Sequence, residues 1–198
     1  MTFKEAVKKS WDFLQEDSWQ SWIVSLVLII VIIKFVFFPV LSLLTGTSLP
    51  LVVVESCSMY HESGFDSWWS QNAAWYESRN ITKADFEEFT LHNGLNKGDI
   101  LIVTGEKRPK LGDIIIYDAG SNHPLIHRII SLDPIQTKGD HNIAQLVPGN
   151  NPYGIDETKV KESTIIGKAS FKVFPLLGWI KLIWFEPLKA PQDRGFCK

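Results

Sequence analysis

Cysteine is scarce in this chain. Cys57 and Cys197 are the two among 198 residues, far apart and outside any C-x-x-C motif. Such spacing indicates neither a disulfide framework nor a zinc ribbon, so the redox compartment stays open. Charge of one sign is also scarce. The formal net charge is −2, which suits an ordinary solvated surface and gives no bulk basic face for nucleic acid. The histidines His61, His92, His123, His127 and His141 show no metal-ligand spacing. No cofactor motif is present, and no cofactor or metal is expected. Internal repeats and low-complexity tracts are missing as well.

Aromatic residues, in contrast, are plentiful. The 8 Trp and 12 Phe cluster near one long apolar run and near the C-terminal end, as expected where a chain meets a bilayer interface. That run is WIVSLVLIIVIIKFVFFPVLSLL, residues 22–44. A helix of this length covers roughly the 30 Å hydrocarbon core. It is too long for the apolar core of a cleavable signal peptide, and no convincing A-x-A site follows it. Lys34 is costly at mid-span unless it snorkels or meets a polar partner, and Pro39 predicts a kink or an early end. Before the run, Phe3, Val7, Trp11 and Leu14 fall on one face of a helix within residues 1–21. That segment could lie on a membrane or pack on another subunit.

From Gly98 onward short β-rich runs alternate with turn signals. Gly98-Asp99 leads into ILIV and Gly112-Asp113 into IIIY; LIHRII (125–130), TKGDHN (137–142), the loop GNNPYGID (149–156) and STIIGKASFKV (163–173) follow. These predict a mainly β domain over residues 45–198. Residues 60–97 read as an insertion. It contains Trp68-Trp69 and a capping-box spacing, Thr82-Lys83-Ala84-Asp85, that opens a short helix through Phe89. Its aromatics suit a lid, a membrane-dipping loop, a partner surface or a self-packed subdomain. Residues 174–188 are apolar but too short to span with certainty; they pack on the domain or lie at the interface.

The stretch with chemistry is LVVVESCSM, residues 51–59. A β-branched run delivers the turn Ser56-Cys57-Ser58-Met59 within a few residues of the membrane segment. A serine hydroxyl needs an adjacent base to become a nucleophile. His127, inside an apolar strand pattern, is the candidate; imidazole titrates near neutral pH. A lone histidine in such a strand is ordinarily a satisfied core residue. What changes the reading is its company: Ser58, His127 and Asp140 occur in that order, each at a strand edge or turn, and a carboxylate is what holds an imidazole in the useful tautomer.

Taken together, the anchor, the Ser-x-Ser-Met box, the Gly-Asp strands, His127-Arg128-Ile129-Ile130, the Thr-Lys-Gly-Asp box and Ile165-Ile166-Gly167-Lys168 resemble a type I signal peptidase over roughly residues 22–173. Bacterial members usually have a lysine base; the histidine here resembles the archaeal and endoplasmic-reticulum branch with its Ser-His-Asp set. The resemblance implies a membrane-bound serine endopeptidase that removes signal peptides from secretory preproteins, beside the bilayer and the translocation machinery. It implies Ser58 as nucleophile, His127 as general base, and Ser56 as a hydroxyl assisting the Ser58 amide in an oxyanion hole. Cys57 stands where the family often has Gly or Glu. Tyr60-His61 replaces a proline usual soon after the Met, and the 60–97 insertion is longer than usual.

Two carboxylates compete to orient His127. Asp140 closes the Thr-Lys-Gly-Asp box. The family's second Asp follows after a short gap, yet counting forward lands on Leu146, whereas counting back from Ile165-Ile166-Gly167 lands near Asp156. An insertion around residues 141–148 makes Asp156 the expected triad acid and Asp140 a supporting residue. The competing reading is a non-catalytic, membrane-anchored β domain that binds a protein partner through the aromatic insertion.

Lys4, Lys8 and Lys9 favour an N-terminus on the inside, with residues from about 45 outside, at a cell or reticulum membrane. In intact cells, added protease should therefore reach residues 98–173 and spare residues 4–9. Labelling of a Lys8→Cys variant from outside by an impermeant reagent would reverse that orientation.

Overall fold

Two units emerge in the computed structural model, which describes residues 2–106, 108–121 and 123–198: residues 1–44 and residues 45–198. In the first, helix α1 (Phe3–Leu14) opens with a capping box in which Thr2 and Glu5 satisfy each other's backbone N–H groups. Helix α2 (Trp19–Ile32) is capped by Ser18. It runs without a break through a π-helical turn (Ile33–Phe37) into α3 (Phe38–Thr45). The continuous apolar helix covers Trp19–Thr45, 27 residues, or about 40 Å. Pro39 neither ends nor sharply breaks it. A proline lacks the N–H that would bond four residues back and clashes there; the wider turn just before it accommodates that loss. Lys34 lies in this turn, with Nζ 5.5 Å from the Phe35 ring centroid.

In the second unit, β-branched runs form a six-stranded sheet in the order β1-β2-β6-β3-β4-β5. The strands are β1 (Leu51–Val53), β2 (Ile100–Thr104), β3 (Ile114–Tyr117), β4 (Leu125–Leu132), β5 (Ile135–Lys138) and β6 (Ile165–Phe174). Every pairing is antiparallel. The alternation of a strand sends successive side chains to opposite faces. Thus Ile114 and Ile116 join Val54, Met59, Leu95, Leu101 and Val103 in one core, while Ile115 and Tyr117 join Ile129 and Val160 in another. Both Gly-Asp turns use one device. Gly98 and Gly112 take φ of +94° and +84°, and the following carboxylate accepts the N–H three residues back, Asn96 to Asp99 and Lys110 to Asp113, each at 2.8 Å. The sheet is the core of this unit. Across the described residues, however, strand is about 19% and helix 36%, so "mainly β" holds only for that core. Helices before the sheet and inside the insertion account for the excess.

Residues 60–97 bury their aromatics. Helices α4 (Phe65–Glu77) and α5 (Lys83–Glu87) bring Trp68, Trp69, Tyr76, Ile81 and Phe86 together against Ile130 of β4. The Thr82–Asp85 capping box is formed, and α5 ends at Glu87 rather than Phe89. With Phe86 fully buried and Trp68 2% exposed, these rings form a satellite core and are not a surface for dipping into lipid.

Beyond β6 the chain returns as a strap containing the short helix α6 (Trp179–Leu182). Gly178 N–H donates to the Gly98 carbonyl at 2.8 Å and Trp179 Nε1 to the Lys97 carbonyl at 2.9 Å. Cys197 forms a disulfide with Cys57, 140 positions away. This corrects the expectation drawn from the spacing. A cross-link closing so long a loop depends on the strap's return path, which local spacing does not encode.

Phe86→Ala should destabilise the second unit by about 3–5 kcal/mol through cavity formation, measurable by denaturant unfolding of the detergent-solubilised protein. A change under about 1 kcal/mol would mean that the satellite core adds little to the sheet.

Candidate active site

Ser58 sits in the turn after β1, half-buried, with Oγ 3.1 Å from Ser56 Oγ. The backbone around it is fixed from two sides. His141 N–H donates to the Ser58 carbonyl at 2.8 Å, and Leu95 N–H to the Met59 carbonyl at 2.7 Å. His127 projects from β4 and is 2% exposed. Gly139, just past β5, connects the two. A methyl group on its Cα would lie 2.7 Å from the Ser58 carbonyl oxygen and 2.8 Å from His127 Nε2. The Ser58 carbonyl, the Asn142 side-chain nitrogen (also 2.7 Å) and His127 Nε2 therefore flank one small space that only a glycine leaves open, while Ser58 Oγ itself is bonded to Ser56.

The other imidazole nitrogen is held by Glu157. Its Oε1 is 2.5 Å from His127 Nδ1 and also accepts the Thr137 hydroxyl at 3.1 Å. Oε2 accepts the Leu146 N–H at 2.7 Å. The carboxylate is fully buried and satisfied on both oxygens. An ionised carboxylate can only accept, so Nδ1 is the donor in this bond and Nε2 is the nitrogen on the side of the space beside Gly139. That is the tautomer a general base needs.

Asp156, the expected triad acid, is not at His127. Its Oδ1 accepts the Thr158 N–H at 3.0 Å and the Thr158 hydroxyl at 2.6 Å, and these bonds hold its carboxyl below the usual range. The loop before it is set by Asn151, whose Oδ1 accepts from Tyr153 and Ile155 N–H and whose Nδ2 donates to the Val147 and Ile155 carbonyls. This closure buries the residue after Asp156. Glu157, one methylene longer, reaches the imidazole instead. The missed signal was its position, directly beside the expected acid in Ile155-Asp156-Glu157.

Asp140 lies on the other side of β4, where it is fully buried. Arg128 Nε donates to its Oδ1 at 3.0 Å and Nη2 to its Oδ2 at 2.7 Å. His61 Nε2 lies 3.0 Å from Oδ2. Burial alone would raise the Asp140 pKa, but the Arg128 guanidinium and the His61 bond outweigh it and hold the carboxyl well below its usual range. Burial lowers the pKa of His61 against the opposing pull of the Asp140 carboxylate, and because that carboxylate can only accept, Nε2 is the donor. The ring stacks on Trp68 with centroids 3.8 Å apart. Its buried Nδ1 has no hydrogen-bond partner among the described residues. Lys138, also buried, is pushed down to about 8, chiefly by desolvation; its Nζ donates to the Gly139 carbonyl at 3.1 Å.

His141 also lines a cleft of about 510 Å³ with Trp68, Gln71, Asn72, Trp75 and Ile143. Side-chain nitrogens of Gln71 and Asn72 bond the Ser67 and Trp68 carbonyls of their own helix. Among the described residues no group of three or more His, Cys, Asp or Glu could hold a metal ion. No protein-family model matches the chain, and no curated protein matches it.

Asp140→Asn leaves Arg128 buried without its counter-charge and should cost about 3–5 kcal/mol of stability. The pH dependence has a definite sign. A depressed carboxylate stabilises the fold above its unfolded pKa of about 3.9, and that stability is lost as pH falls through the lower folded value. Acid unfolding of the wild type should therefore steepen below about pH 4. The Asp140→Asn protein should lack that component; equal acid sensitivity in both would remove Asp140 from this role.

Proposed function

We propose that the protein is a membrane-bound serine endopeptidase that removes signal peptides from secretory preproteins. The observation that carries this reading is the placement of His127, with buried Glu157 on Nδ1 and the Ser58 turn on the Nε2 side. In this mechanism Ser58 Oγ attacks the scissile carbonyl while His127 Nε2 takes its proton. Glu157 holds the tautomer and stabilises the imidazolium. The oxyanion is received by the Ser58 N–H with help from the Ser56 hydroxyl, already 3.1 Å from Ser58 Oγ. The imidazolium then returns its proton to the leaving amine, and water hydrolyses the ester by the same base. Asp140 acts as scaffold.

Three further features support the assignment. The apolar helix Trp19–Thr45 is long enough to cross a membrane and leads within a few residues to β1, which suits a substrate whose apolar segment is itself in the bilayer. The cleft beside His141, with a volume of about 510 Å³ and polar as well as aromatic lining residues, has room for a peptide segment. The Cys57–Cys197 disulfide suits an oxidising compartment, hence a second unit on the extracytoplasmic or lumenal side.

The test is incubation of the detergent-solubilised protein with a secretory preprotein and N-terminal sequencing of the product. Ser58→Ala should abolish cleavage with the fold intact. Glu157→Gln should lose roughly 10⁴ in rate, as for a wrong-tautomer triad, while Asp156→Asn stays near wild type. Full activity in Ser58→Ala would end the proposal. An Asp156→Asn loss exceeding that of Glu157→Gln would reassign the acid. A folded wild type without processing would favour a partner-binding domain.

A further inference from the structure

Beside the His141, Leu95 and Tyr60 N–H bonds to its carbonyls, the nucleophile turn is gripped from a third direction. Val54 is fixed by backbone bonds to the Gly98-Asp99 turn, at 2.8 Å and 2.9 Å, and Met59 is buried in the core. Between them, residues 55–58 cross the surface with Ser56 exposed. Much of what grips this crossing comes from the strap after β6. Lys189 Nζ donates to the Glu55 carbonyl at 2.8 Å, Lys181 Nζ bonds the Glu55 carboxylate at 2.8 Å, and Cys197 is covalently joined to Cys57, the residue between the two serines.

The strap does not need the disulfide to dock. Buried Lys97 Nζ bonds Glu186 Oε2 at 2.7 Å and the Asp193 carbonyl at 2.6 Å. Glu186 also accepts the Gly195 N–H at 2.8 Å. These contacts fix the strap almost to Cys197. Beside the two lysine bonds to Glu55, the disulfide then adds a covalent tie, two positions further on, between this anchored segment and the residue next to Ser58.

We propose that the Cys57–Cys197 disulfide is a positioning clamp on the nucleophile turn, so that the Ser58 site becomes fully competent only after oxidation of these two thiols. The inference rests on the reading of Ser58 as nucleophile. Clamp formation breaks two S–H bonds and makes one S–S bond. The two electrons and two protons pass to the disulfide of a thiol–disulfide oxidoreductase, which leaves as a dithiol. A chain in a reducing compartment is thereby folded but latent, and it gains activity where disulfides persist.

The test uses the full chain in detergent, with thiol state read by alkylation and mass. Reduction by dithiothreitol should lower kcat on a preprotein by about 10²-fold, the scale of a 1 Å misplacement. KM should change little and the reduced protein should stay folded at the assay temperature, although opening so long a loop lowers its unfolding midpoint, and reoxidation should restore kcat. Cys197→Ser should match the reduced protein and ignore dithiothreitol. Unchanged kcat in fully reduced protein, a loss confined to KM, or a loss that only tracks the unfolded fraction would each overturn the clamp. Such outcomes leave the peptidase reading standing, whereas an oxidised wild type that processes nothing overturns both.

Discussion

Burial of Asp140 against Arg128 is the constraint on which the second unit depends. A guanidinium and a carboxylate taken out of water are tolerable only with near-complete hydrogen bonding, and here they have it. Arg128 spends its remaining donors on the Thr90, Leu91 and Gly112 carbonyls, while the Asp140 carbonyl accepts from Trp68 Nε1 at 3.1 Å. These partners come from three segments: the Thr90 and Leu91 carbonyls from the end of the insertion, the Gly112 carbonyl from the turn before β3, and the Trp68 donor from helix α4. The pair thus fixes where the insertion lies on the sheet and where the chain leaves β5. The chain leaves β5 through Gly139, the residue between Ser58 and His127.

Strand alternation couples this scaffold to the site. His127 and Arg128 are neighbours on β4 and point to opposite faces. The Arg128 face receives Asp140, His61 and the aromatic insertion. The His127 face receives Thr137 and Glu157. Rotation of β4 would disturb both sides at once, so the burial energy of one face fixes the aim of the imidazole on the other. This is the sense in which a structural ion pair positions an imidazole it does not touch.

The strands and the span were legible because they rest on local rules. Apolar runs after Gly-Asp mark β2 and β3, since the glycine supplies a left-handed φ and the aspartate closes the turn on its own backbone. The apolar run 22–44 could hardly be anything but a long helix, though capping by Ser18 moved its start to Trp19. Ser58, Ser56 and His127 were legible as candidates from strand-edge placement. What local pattern could not supply was closure at a distance. The Asn151 hub turns Asp156 away from the imidazole and Glu157 toward it, a choice between adjacent residues that both carry a carboxylate. Cys57 and Cys197 meet only because the strap folds back over the Gly98-Asp99 turn. The insertion was legible as aromatic, but whether its rings faced water or each other was decided by Ile130 and the Arg128 guanidinium, which lies 4.7 Å from the Phe86 ring centroid.

Lys138 raises the question of which base the fold permits. By composition it is a rival to His127: a buried lysine pushed down to about 8, one position from Gly139. Topology separates them. Lys138 pairs with Arg128 in the β4–β5 register, so it shares the Arg128 face, with Nζ 4.9 Å from the Trp75 ring centroid and 5.1 Å from that of Tyr76. Its donors end on the Gly139 and Asp140 carbonyls, on the side of the hairpin away from the imidazole. Thr137, its neighbour, faces the other way and donates to Glu157. A lysine can be depressed into a useful range and still be no base for Ser58, because proton transfer requires reach before it requires a matched pKa. Its role here is structural: its Nζ donates to the two carbonyls of the turn and so holds Gly139 between Ser58 and His127.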